Sequence, residues 1–63
     1  MKELVGKQAV IIFNLPSSEW PIEGCPAWVN IDAVDMPMIK ITAYGRSVWI
    51  NANIIKTITE IHA

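Results

Sequence analysis

The chain has 63 residues, a formal net charge of −1, 52% apolar residues and 17% charged ones. That length holds one domain, residues 1–63, and excludes a substrate domain standing beside a cofactor domain. The apolar content excludes disorder, and five Lys/Arg against six Asp/Glu exclude the basic field of a non-specific DNA binder.

A domain this small buries only about 60% of the surface its unfolded chain exposes. Its apolar content therefore exceeds what one core can cover, and self-association is the expected outlet. The longest unbroken apolar run, residues 9–13, is five residues, against about 20 for a membrane span. Lys2, Glu3 and Lys7 precede it without a long apolar leader stretch, so neither a membrane segment nor a cleaved signal is expected. Cys25 has no partner for an intramolecular disulfide, which points to a reducing, cytoplasmic setting.

In chain order, residues 1–6 read either as a short helix ended by Gly6 or as a frayed start. Residues 8–14 form a first strand, whose Ala-Val-Ile-Ile-Phe run predicts cover on both faces. Residues 16–26 contain three prolines and a glycine, which predicts a long irregular loop. Eleven isoleucines and five valines bias the remainder to strand. Residues 27–33 alternate, with Val29 and Ile31 on one face and Asn30 and Asp32 on the other; residues 39–42 alternate likewise. Tyr44-Gly45 or Gly45-Arg46 supplies a tight hairpin turn, and residues 46–50 return with Val48 and Ile50 on a shared face. Residues 51–53 break the pattern, since Asn bonds its own backbone in turns, and a last strand covers 54–61. Five strands with one long loop predict an all-β fold: a small, strongly bent antiparallel barrel with limited exposed edges.

Enzymatic chemistry is not expected. His62 is penultimate, where chain ends fray, and Cys25 lies between Gly24 and Pro26 with no local base to activate it. One His and one Cys do not make a zinc site. Asp32 and Asp35, three apart on a strand, fall on opposite faces and read as solvated. The glycines at 6, 24 and 45 are too scattered for a phosphate loop. No catalytic residue, metal or cofactor is therefore expected.

Two strand connections remain, residues 33–41 and residues 48–58. Ala33-Val34-Asp35 and Met38 followed by Ile41, then Ile50-Asn51-Ala52-Asn53 followed by residues 55–58, resemble the two motifs of the Sm-like family, the ring-forming RNA-binding proteins that include bacterial Hfq. Residues 38–58 are also similar to a short flagellar-type family. Where the Sm-like pattern carries a cation in its second motif this chain has Asn51, with Ala52 in place of glycine. Ile39 stands at the loop asparagine, and Val29 at the strand-bending glycine.

The resemblance implies a Sm/SH3-like barrel that closes a homo-oligomeric ring, pairing strand four of one subunit with strand five of the next. Here the apolar surplus of Val48, Ile50, Ile54, Ile58 and Ile61 lies on or beside those edges. It also implies pore-lining loops that bind single-stranded RNA through Asp35, Met36, Met38, Asn51 and Asn53, with amides on base edges and methionines on base faces. The residues by themselves equally allow Asn51 and Asn53 to cap a turn and Asp35 to bond its own loop. Trp28 and Trp49 fall on the outward face and read as interface anchors, while Trp20 either contacts a ligand or covers the barrel end. The alternative function is a structural or protein-interaction barrel, such as a phage or mobile-element accessory protein, with no nucleic-acid site.

Overall fold

Two central residues in the left-handed region set the first fixed point of the fold. Tyr44 (φ 54°) and Gly45 (φ 76°) form the two-residue turn that joins β3 (Met38–Ala43) to β4 (Arg46–Asn51), because that geometry matches strand twist. Of the two turns allowed by the sequence, Tyr44-Gly45 is the one formed, with Ala43 opposite Arg46.

The computed structural model describes residues 2–22 and 27–61. Besides β3 and β4 it contains β1 (Gln8–Phe13), β2 (Ala27–Asp35) and β5 (Ile55–Glu60), all antiparallel in one sheet of order β4-β3-β2-β1-β5. Single 3-10 turns occupy Lys2–Leu4, Ser17–Glu19 and Ala52–Ile54. The first resolves the N-terminal alternative in favour of a short helical turn, which ends before Gly6 at φ 84°. The second corrects the expectation of a wholly irregular loop: Pro16 accepts from the Glu19 N–H through its carbonyl at 2.8 Å, closing a turn that prolines on either side do not prevent.

Chain connectivity forces the sheet to curl. β4 and β5 are the two outer strands, separated by four inter-strand gaps of about 4.8 Å, roughly 19 Å if the sheet were flat. Yet only Ala52–Ile54 joins them, and the four residue steps from Asn51 to Ile55 reach at most about 14 Å. The sheet must bend until its two ends approach, giving overall extents of 28 × 25 × 21 Å.

β2 carries the bend. Its first part pairs with β1 (Gln8 opposite Asn30) and its second with β3 (Val34 opposite Ile39), with a bulge between Ile31 and Ala33. A bulge adds one residue to one strand and sharpens its twist, so no glycine is needed at Val29. The extra residue also shifts the alternation. Asp32, Ala33 and Asp35 all lie on the outward side while Val34 packs against the core. This corrects the assignment of Asp32 and Asp35 to opposite faces.

The core is filled by Ala9, Ile11 and Phe13 from β1; Ala27, Val29 and Ile31 from β2; Ile39, Ile41 and Ala43 from β3; Ile50 from β4; and Ile22 from the loop. Val48, Ile54, Ile55 and Ile58 are half-buried against it. The residues assigned from sequence to the strand edges thus largely serve the chain's own interior, Ile50 completely so. β1 departs from expectation in the other direction. Its inner face is buried, but Ile12 is exposed and Val10 only half-buried, because no second layer among the described residues covers the outside of the curled sheet. The uncovered apolar surface is instead Trp28, Trp49, Ile12, Met36, Tyr44 and Val5. Trp28 and Trp49 point outward as the alternation requires.

Trp20 covers the barrel end. Its ring meets Phe13 edge-on at 5.0 Å, and its indole N–H donates to the Leu15 carbonyl at 2.8 Å. Cys25 and His62 lie outside the described residues.

Ile41→Ala should lower the unfolding free energy by about 2–4 kcal/mol in urea denaturation. Ile12→Ala should cost less than about 1 kcal/mol, since that side chain keeps much of its contact with water in the folded chain. Equal costs would mean that the outside of β1 is covered after all.

Candidate functional site

The two connections singled out in the sequence come together at one end of the barrel. Continuous register sets Asp35 opposite Met38, and Met38 opposite Asn51. Directly opposed residues share a face, so these three form one outward row across β2, β3 and β4. Met36, at the tip of the β2–β3 turn, is 55% exposed. Asn53 is exposed in the 3-10 turn that follows β4.

Hydrogen bonds fix the rim. The Ala52 N–H donates to the Pro37 carbonyl at 2.8 Å, tying the two connections together. From the other side, the Asn14 side chain donates to the Asn53 carbonyl at 2.9 Å, and the Asn14 backbone N–H donates to Ile54 at 2.8 Å. The end of β1 therefore belongs to the same rim. Asn14 was not among the sequence candidates; its place as the last residue of the expected first strand was the available signal, but only the fold, which ends β1 at Phe13, shows what it faces.

The two rim asparagines have different duties. The Asn51 side-chain oxygen accepts from the Asn53 backbone N–H at 2.8 Å, capping the 3-10 turn. That bond occupies one acceptor position of Asn51 and uses neither of its amide N–H donors. The side chain of Asn53 takes no part in this cap. Asp35 is exposed at the strand end.

The rim is poor in positive charge. Residues 35–38 and 51–54 contain the Asp35 carboxylate and no Lys or Arg. The nearest cation in the register is Lys40, one row inward, opposite Trp49 on β4 and Ala33 on β2. The chemistry on offer is amide donors and acceptors, thioether surface, one carboxylate and, a row away, one ammonium beside an indole. Among the described residues no group of three or more His, Cys, Asp or Glu is placed to hold a metal ion. No helix among them is long and apolar enough to cross a membrane. No family model, curated protein or solved structure matches the chain.

The split between the asparagines is measurable by denaturation. Asn51→Ala removes the cap and should cost about 1 kcal/mol of stability. Asn53→Ala should stay within about 0.5 kcal/mol of the parent chain, as for most surface changes.

Proposed function

We propose that this chain is a Sm-like assembling module: a small barrel that pairs the β4 edge of one copy with the β5 edge of the next and gathers the rims of several copies into a site for single-stranded RNA. The observation that carries the reading is the sheet order, which leaves β4 and β5 as the two terminal strands. Unpaired strand edges are templates for another chain, and nothing among the described residues caps them with a helix. Head-to-tail pairing of two different edges closes a ring when the rotation per contact permits. The half-buried Val48, Ile54 and Ile58 and the exposed Trp49 would supply side-chain contact beside the backbone pairing.

Within such an assembly Asp35, Met36, Met38, Asn51 and Asn53 of each copy would face the strand. Amides read base edges and methionines pack on base faces, with Lys40 the cation closest to the phosphates in the register. One observation favours a second reading, a protein-interaction barrel without RNA. The rim has a carboxylate and no cation of its own, and Asn51 already uses an acceptor on its turn. Phosphate neutralisation supplies most of the affinity of ordinary nucleic-acid binders, so RNA affinity at this rim should be modest and sharply reduced by salt.

Light scattering at micromolar concentration should give a mass several times the 7.0 kDa of one chain. A monomer there would sink the assembly. Titration with a labelled U-rich RNA should show binding at low salt that Asn53→Ala weakens severalfold. An assembly with no RNA affinity at low salt would leave the protein-interaction reading.

A further inference from the structure

The opposite, hairpin-tip end of the sheet carries a separate constellation that the rim does not use. Asn30 on β2 lies opposite Thr42 on β3. Continuing that register by two residues brings Trp28 beside Tyr44, at the tip of the β3–β4 hairpin. Trp28 is 58% and Tyr44 74% exposed. Both line a cavity of about 160 Å³, together with Gln8, Val29, Asn30, Thr42 and Ile61. A second hollow, about 250 Å³, lies on the far side of Tyr44 and is lined by Ile22, Ala43 and Arg46.

Tyr44 is expensive where it stands. Its φ of 54° is in the left-handed region, where asparagine and glycine are the residues of low cost and a bulky side chain is an outlier. The ring gains little burial in return. A strained residue that contributes so little to the core is the kind found at ligand sites.

We infer that Trp28, Tyr44, Gln8, Asn30 and Arg46 form a nucleotide-binding site, with a base held between the two aromatic rings and its phosphate on Arg46. Size decides the first part of the assignment. Sites for whole drug-sized ligands run from about 300 Å³ upward, so the first cavity takes one planar fragment. Chemistry decides the second. The Gln8 and Asn30 side-chain amides make no side-chain hydrogen bond among the described residues, so both keep donors and acceptors for a base edge. Thr42 is occupied, bonded to Asp32 and at 2.8 Å to Ser47. The Asp32 carboxylate behind Thr42 repels an anion from the first cavity, whereas the Arg46 guanidinium lines the second. Neutral ring and anionic group are thus directed to different sides of Tyr44. Lys7, near Gln8 in sequence, is engaged with Glu60 at 3.6 Å. The site is complete in one chain and does not depend on the ring.

The shared chemistry is a base–ribose–phosphate unit, from an RNA strand or from a free nucleotide. The test is an NMR titration of the full chain with a single-stranded hexaribonucleotide, and separately with AMP and UMP, following the Trp28 indole N–H and the Gln8 and Asn30 side-chain amides. Those resonances should shift with at least one probe. Shifts with the hexamer alone assign the site to a strand; shifts of equal affinity with a mononucleotide assign it to free nucleotides. Tyr44→Asn relieves the turn and should keep or raise the melting temperature while weakening binding about tenfold. Arg46→Gln should weaken binding and lower the salt slope by about one. Ser18→Ala, exposed in the Ser17–Glu19 turn and outside both ends, should leave these shifts unchanged. The site is overturned if no probe moves Trp28, if shifts are confined to residues 51–54, if Tyr44→Asn binds as tightly as the parent, or if a proline-rich peptide moves these resonances and nucleotides do not.

Discussion

One short connection governs the molecule. β4 and β5 stand at the two ends of the sheet order, yet three residues of 3-10 turn join them. A flat sheet cannot satisfy that link. The curl it imposes produces an inside and an outside from a single layer of strands, and a buried core forms with no covering helix among the described residues. The β2 bulge at Asp32 concentrates the bend and shifts which residues face outward beyond it.

That geometry explains where the apolar surplus goes. A curled single sheet buries one face of each strand, so Ile39, Ile41 and Ile50 are inside, whereas Trp28, Trp49 and Ile12 remain in contact with water. Half of the exposed large apolar residues among those described are aromatic, namely Trp28, Tyr44 and Trp49, and the isoleucines of the terminal strands mostly pack inward. What β4 and β5 offer a neighbour is mainly their unpaired backbone, with Trp49 beside it. Backbone pairing supplies affinity without reading side chains, so any choice of partner at these edges rests on Trp49 and the half-buried Val48, Ile54 and Ile58.

The two ends of the barrel differ in how their polar groups are committed. At the rim built from Asp35, Met38 and Asn51, hydrogen bonds hold three chain segments together, and the capping bond of Asn51 is spent on shape. At the hairpin end, the Gln8 and Asn30 amides flank exposed aromatic rings, and Tyr44 occupies a conformation its side chain does not favour. A group already bonded within the fold must lose that bond to meet a ligand, so equal counts of polar side chains at the two ends do not mean equal capacity to bind.

The strands and the turn at residues 44–45 were legible because their causes are local: β-branched alternation, a glycine able to take positive φ, and asparagines at the break after β4. The rim was legible in composition, since Asp35, Met36, Met38, Asn51 and Asn53 fall in two neighbouring connections. Three things were not. The face of Asp35 depends on a bulge that alternation does not reveal; the exposed side of β1 depends on there being no second layer among the described residues; and the meeting of Trp28 and Tyr44 at one cavity joins residues 16 apart in the chain. A five-stranded antiparallel barrel with a break at residues 51–53 before its last strand was already written in the residue order, because strand propensity and turn chemistry act over a few residues. The tertiary structure alone decided which isoleucines face inward, which amides are already engaged and which aromatic rings meet, because those follow from inter-strand register and the closure of the sheet.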